Sequence, residues 1–224
     1  MHLKPFYALL GAAAIAMAAT SADAAVTFVG YQTAPNPDEV LVTSFEGGPT
    51  LADVAFGLGG YSLSGTGVLF TGSTANVSAA PAFSAVTKDT TQYLSVQQGQ
   101  NVTLDTPLLS AISFYVGSLD AWNSFTFTLA NGATEVVTGM ILADLPGMDA
   151  NGNQTGFTTN GRLTFNFDSD ITGVTFASAG DSLEISDIGA VLGVVPEPAS
   201  WAMMIVGFAG VGALMRRRRE MVLA

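Results

Sequence analysis

In five short runs between residues 112 and 185 apolar side chains recur at every second position, and a period of two admits little besides β-strand. Ile112, Phe114 and Val116 alternate with Ser113 and Tyr115, and Phe125, Phe127 and Leu129 alternate with Thr126 and Thr128. Leu163, Phe165 and Phe167 alternate with Thr164 and Asn166; Val174 and Phe176 bracket Thr175, and Leu183 and Ile185 bracket Glu184. Successive strand residues point to opposite faces, so each run has one apolar and one polar side, as in a half-buried antiparallel sheet. Asn131-Gly132 lies between the runs 125–130 and 133–137 and reads as a hairpin turn, because both residues accept positive φ. Further strands are expected at 26–31, 40–45, 63–70, 93–96 and 101–104. About ten short strands punctuated by Gly, Asn and Asp are the pattern of an antiparallel β-sandwich or jelly roll. Residues 51–56 read as a short helix, and 71–85, rich in Ala, Ser and Thr, as a long loop.

The two ends of the chain depart from this pattern. Lys4 supplies a positive start, an apolar run covers 6–19, and Ala22-Asp23-Ala24 presents small residues at the positions a signal peptidase reads. The cut is expected between Ala24 and Ala25, giving a signal segment 1–24 and a body 25–194. At the other end Pro196 and Pro198 remove two N–H donors and enforce an extended stretch around Glu197. An uncharged apolar run, 199–215, follows. At about 1.5 Å per residue it crosses most of a ~30 Å hydrocarbon core as a transmembrane helix. Trp201 sits at its outer end, where an interfacial indole belongs, and Arg216, Arg217, Arg218 and Arg219 form a cluster that stays cytoplasmic. The expected topology is body outside and tail inside. The fold class is therefore all-β, flanked by an N-terminal signal helix and a C-terminal membrane helix.

Charge and composition exclude several functions. The net charge is -11, and of seven basic residues only Lys88 and Arg162 lie between the two end segments. Phosphates need Lys and Arg to release their counterions, so nucleic-acid binding is excluded. The chain has no cysteine, and its single histidine, His2, belongs to the segment that is removed. A Ser-His-Asp triad, a Cys-His pair and a histidine-ligated zinc site are thereby ruled out.

The segment from Pro196 to Arg219 has a specific composite pattern: Pro-Glu-Pro, two residues, Trp-Ala-Met-Met-Ile, a Gly-Phe step and the arginine cluster. It resembles the PEP-CTERM sorting domain in its PEPxxWA variety, spanning 195–224. The resemblance implies that Pro196, Glu197, Pro198 and Trp201 are recognised by exosortase, a membrane transpeptidase of Gram-negative bacteria that make exopolysaccharide. They are recognition residues of a substrate and not catalytic residues. It further implies an inner-membrane-anchored intermediate whose tail is cut, after which the body goes to the cell surface or the extracellular matrix. The stretch from Phe114 to Asn123 resembles a Phe-Tyr-Trp-Gly-Ser-hydrophobic-Asp-x-Tyr-Asn segment of some exosortase-dependent proteins, departing at Val116 and Trp122. Ser182 to Ile188 is similar to a strand common in such β bodies. Neither carries an activity.

Candidate chemistry in the body is sparse. Asp149, Asn151 and Asn153 begin like a calcium loop, but Gln154 and Asn160 stand where the helical calcium loop wants Gly and Glu. A polar turn is the preferred reading, and calcium is the one cofactor left open. Asp168 and Asp170 could form the carboxylate pair of a glycosidase, but are read as a solvated turn between two strands. Glu184 and Asp187 are read as exposed strand and turn residues. Tyr115 and Trp122 are the candidate ligand contacts, since an aromatic face offers a platform to a sugar ring. Three readings follow in order: a non-enzymatic surface or matrix protein associated with exopolysaccharide or biofilm, a carbohydrate-binding module with or without calcium, and a hydrolase that uses carboxylates alone. The processing partners expected are signal peptidase and exosortase.

Overall fold

Alternation of the kind found here gives strands with one face to bury, and ten of them form among the residues described. The computed structural model describes residues 26–32, 37–193 and 208–209. The expected cleavage site at Ala22, Ala24 and Ala25, the sorting residues Pro196, Glu197, Pro198 and Trp201, and the cluster from Arg216 to Arg219 lie outside the described residues. So does nearly all of the apolar run 199–215. Among the described residues no helix is long and apolar enough to cross a membrane.

The strands are β1 (Val26–Gln32), β2 (Val40–Thr43), β3 (Ser62–Gly65), β4 (Val68–Thr71) and β5 (Gln92–Val96), then β6 (Asn101–Gly117), β7 (Asn123–Leu129), β8 (Thr134–Thr138), β9 (Gly161–Ser178) and β10 (Leu183–Leu192). A 3-10 turn at Leu51–Asp53 and a short helix α1 (Gly139–Ala143) are the helical elements between them. All pairings are antiparallel, and they join into one ten-stranded sheet in the order β4-β5-β10-β6-β9-β7-β8, with β1 on β9, β2 on β10 and β3 on β6. The expectation of an antiparallel β body is met. Two separate stacked sheets are not seen, because hydrogen bonding is continuous through β6 and β9.

Those two strands are each a fusion of two runs that read as separate strands. β6 has 17 residues and β9 has 18. Their ladder is broken in the middle: from Asp105 to Leu109 β6 advances four residues while β9 advances two, from Gly173 to Ile171. Pro107 falls inside that step and has no N–H to donate, which places the interruption there. From Leu109 to Ala111 the excess passes to β9, which runs from Ile171 to Asn166. Asp168 and Asp170, read as a turn, therefore sit in a bulged stretch of one long strand.

The run 63–70 splits the other way. Gly65 has φ +121, and a Cβ there would lie 2.3 Å from the carbonyl oxygen of Asn101. The chain turns away at that close approach, so β3 pairs with β6 while β4 pairs with β5.

The core forms where the apolar faces of the two ends of the sheet meet. Phe114 of β6 lies 5.5 Å from Phe165 of β9, centroid to centroid. It also lies 5.0 Å from Phe125 of β7 and 5.2 Å from Phe176, at the far end of β9. Phe127 closes the cluster 4.9 Å from Phe165. All five rings are fully buried, within a core that also takes in Leu104, Ile112, Leu163 and Ile185. Edge-to-face and offset arrangements of this kind add to simple area burial. The hairpin between β7 and β8 turns at residues 130–132 with the Asn131 carboxamide accepting from the Ala133 N–H. Replacing Phe114 by Ala is expected to destabilise the body by about 3–5 kcal/mol, measured by denaturant unfolding, because it opens a cavity lined by the rings of Phe125, Phe165 and Phe176.

Candidate functional site

Alternation along β10 sends Leu183 and Ile185 into the core and turns Glu184 and Ser186 to the opposite face. That face is not left to water. The segment 72–91 lies across it, held by side chains that the sheet presents outward. Tyr93 donates from its hydroxyl to the carbonyl of Gly72 (2.8 Å), Ser182 to that of Val77 (3.1 Å) and Tyr115 to that of Ala82 (2.7 Å). Asn160 accepts from the Ala82 N–H (3.1 Å), and Ser186 donates to the buried Asp89 carboxylate.

Glu184 is the peg of this arrangement. Its Oε1 accepts from the Ala79 N–H (3.2 Å), from Ser78 Oγ (3.3 Å) and from Ser182 Oγ, and its Oε2 accepts from Ser118 Oγ (2.6 Å). Read from the sequence as an exposed strand residue, it is 1% exposed. The correction has a simple cause: the small Ala and Ser side chains of 72–91 allow that segment to approach the sheet closely. Burial pushes the carboxyl up to about 7, against the lowering effect of its four donors. Burial likewise pushes the Tyr93 and Tyr115 hydroxyls up to about 12.

Tyr115 is therefore corrected as a ligand contact. It does face away from the core, as alternation required, but the 72–91 segment covers it and Phe83 packs edge-on against it at 5.0 Å. Trp122 keeps the role open: it is 45% exposed. Its Nε1 donates to the carbonyl of Asp181 (3.3 Å), and its ring lies against Gly180, where a Cβ would come 2.4 Å from Nε1.

Trp122, the 73–79 segment and the turn at Asn151 and Gly152 enclose a cleft of about 280 Å³, with Ser118, Asp120, Gln154, Asp181 and Glu184 also on its walls. Asp120 is placed by its backbone: its N–H donates to Asn123 Oδ1 (2.8 Å), its carbonyl accepts from the Asn123 N–H (3.0 Å), and it bridges Asn151. The residue as a whole is 7% exposed, while its carboxylate oxygens open onto the cleft and receive no hydrogen bond from the described residues. Burial first, and then the charge of Asp181, push it up to about 6. Ser118, at the mouth of this turn, has φ +42, an uncommon conformation for a residue with a side chain. Asn160 Oδ1 pins its N–H at 3.0 Å.

The calcium candidates use their oxygens otherwise. Asn151 Oδ1 accepts from the Asn153 N–H, Asn153 Oδ1 from the N–H groups of Thr155 and Gly156, and Asp149 from Thr158 Oγ1. These are turn-building bonds, and among the described residues no group of three or more His, Cys, Asp or Glu is arranged to hold a metal ion. Arg162 is buried and paired with Asp187, with its Nη1 donating to Ser113 Oγ (2.9 Å). Asp120 and Glu184 escaped the sequence reading as site residues. The Gly117-Ser118-Leu119-Asp120 step at the end of an alternating strand was the available signal, but nothing in it says what covers the sheet.

Comparison with known proteins bears on the tail. Residues 194–219 match the PEP-CTERM protein-sorting motif, so the chain carries this motif, consistent with an exosortase-sorted protein. No curated protein matches the sequence. Among solved structures the chain is similar to a peptidoglycan O-acetylesterase, at 16% identity over 68% of this chain and 33% of that one, with a TM-score of 0.34. It is also similar to the catalytic unit of a thermostable GH87 alpha-1,3-glucanase from Streptomyces thermodiastaticus strain HF3-3, at 15% identity over 62% and 28% of the two chains, with a TM-score of 0.31. A GH87 alpha-1,3-glucanase catalytic domain in complex with tetrasaccharides matches at 12% identity over 75% and 30%, with a TM-score of 0.35. The chain spans about a third of the length of these structures. TM-scores this low establish no shared fold and assign no activity.

The Glu184 carboxyl makes stability depend on pH. Its folded value, about 7, lies above the ordinary 4.5, so the folded state binds the proton more tightly. The stability this group contributes is full below about 4.5 and is lost as pH rises through about 7. In Glu184→Gln the amide nitrogen takes the Oε2 position and donates to Ser118 Oγ, and the titration is gone. Thermal melts from pH 4.5 to 8 are expected to show this decline in the parent protein and a flatter profile in the variant.

Proposed function

We propose that this chain is an exported, non-enzymatic surface or extracellular-matrix protein, released from an inner-membrane intermediate by exosortase. The PEP-CTERM motif at residues 194–219 carries the reading. The rest of the sequence agrees with it. The three-part pattern of 1–24 suits export and removal by signal peptidase between Ala24 and Ala25. The apolar run 199–215 and the arginines that follow suit a stop in the membrane with the tail inside. In this reading the body, its two sheet ends closing on the phenylalanine cluster like a sandwich, associates with exopolysaccharide or biofilm matrix.

A non-catalytic body is supported by two observations. After signal removal the chain holds neither Cys nor His. The two oxygens of the buried Glu184 carboxyl accept bonds from Ser78, Ala79, Ser118 and Ser182, and so neither is free to serve a substrate as acid or base. A second reading, a carbohydrate-binding body, is favoured by the half-exposed Trp122 beside a polar cleft.

Mass spectrometry of protein recovered from the cell surface and medium, with and without the host's exosortase, tests the sorting reading. The expected species begins at Ala25 and lacks the arginine tail, while the exosortase-deficient strain keeps the whole C-terminus in its membrane. A tail that persists in both strains would make 196–219 an ordinary anchor.

A further inference from the structure

We propose that the cleft between Trp122 and the 73–79 segment binds an uncharged saccharide, with the Asp120 carboxylate accepting its hydroxyls and the Trp122 ring supporting the apolar face of a sugar. The proposal gives a ligand class to the carbohydrate-binding reading and rests on it.

Three observations meet at this place. The first is Asp120 itself. Its residue is nine-tenths buried, and a carboxylate so largely withdrawn from water ordinarily has donors in the protein, since burying a charge without them is costly. Glu184, in the same cleft, has four. Asp120 has none among the described residues, although its backbone is fixed on both sides by Asn123. The acceptor is rigidly placed at the cleft wall and asks for a donor from outside. Burial pushes its carboxyl upward, as a missing donor requires.

The second is Trp122. Its indole N–H is spent on Asp181, and Gly180 supports the ring, so the side chain is held while nearly half of it stays exposed. A fixed aromatic face next to hydrogen-bonding groups suits a ring that is apolar on its C–H face and polar on its edge. The third is the character of the walls. Ser73, Thr74, Asn151 and Gln154 bring hydroxyl and carboxamide groups that both donate and accept, which is what a polyol needs. The volume, about 280 Å³, falls just below the ~300–1,000 Å³ of ligand pockets and suits one or two sugar rings rather than a long glycan.

Charge narrows the class. Every ionisable group on the walls is acidic: Asp120, Asp181 and Glu184. Arg162, the one buried cation among the described residues, is tied to Asp187. A uronic or sulfated sugar would meet repulsion with nothing to offset it. An ammonium would want several free carboxylate oxygens around it, and those of Glu184 are occupied from within.

The test is calorimetric titration of the full-length protein in detergent micelles with three sets of oligosaccharides. These are uncharged oligomers of glucose, galactose, mannose and N-acetylglucosamine, an oligomer of glucosamine, and an oligomer of galacturonic acid. At least one uncharged oligomer is expected to bind, and galacturonate is expected to bind none. Trp122→Ala and Asp120→Asn should each weaken that binding at least about tenfold while melting normally. Gly180→Ala, which displaces the indole without removing it, should weaken it as well. If no saccharide binds, the carbohydrate-binding reading itself falls. If uncharged oligomers bind but folded Trp122→Ala and Asp120→Asn bind equally well, the reading survives and this cleft is overturned as its site. Tightest binding of the glucosamine or galacturonate oligomer would overturn the ligand class.

Discussion

The ladder between β6 and β9 is the constraint on which the body depends. These two long strands run side by side through both ends of the sheet, and every other strand attaches to them directly or through β10, β5 and β7. Because each is shared, the two ends cannot drift apart as independent layers. The interruption near Pro107, and the extra residues of β9 around Asp168, let the strands change course without leaving the sheet. The phenylalanines then meet: Phe114 and Phe165 come from one end, Phe125 and Phe176 from the other. A strand fault and an aromatic core are thus two parts of one solution.

The outer face shows how a polar sheet surface is finished. It presents Tyr93, Tyr115, Glu184 and Ser186, and the 72–91 segment meets them with backbone carbonyls, an N–H and small side chains. The segment has little regular structure of its own, so its backbone groups need these partners. Glu184 is held at some cost, visible in its raised proton affinity, and it fixes one wall of the cleft in return. Asp120, in the turn that follows β6, lines the same cleft without such partners. The contrast between two carboxyls in one cleft, one sealed by the protein and one left to a visitor, separates a structural group from a binding group.

Tail and body are governed by different physics. The tail pattern is local: prolines, an apolar run and a charge cluster follow one another in sequence order. That is why the sorting motif is legible without any fold, and why it says nothing about what the body binds. The body's chemistry is the product of residues far apart in sequence, such as Asp120 and Asn151, or Ala79 and Glu184.

The sequence by itself determined the β character of the body, the hairpin at Asn131-Gly132, the inward residues of β6, β7, β9 and β10, and the sorting motif. Each rests on short-range information: a period of two, a turn dipeptide, a contiguous signal. It also determined that Tyr115 and Glu184 face away from the core. Only the tertiary structure decided what lies over them, and there the reading changed, with Tyr115 and Glu184 covered and Trp122 left half open. It likewise decided that four predicted runs are two long strands, because a bulge and a turn look alike in sequence, and only the neighbouring strand distinguishes them. Alternation tells which side of a strand a residue occupies; whether that side meets water depends on where a distant loop comes to rest.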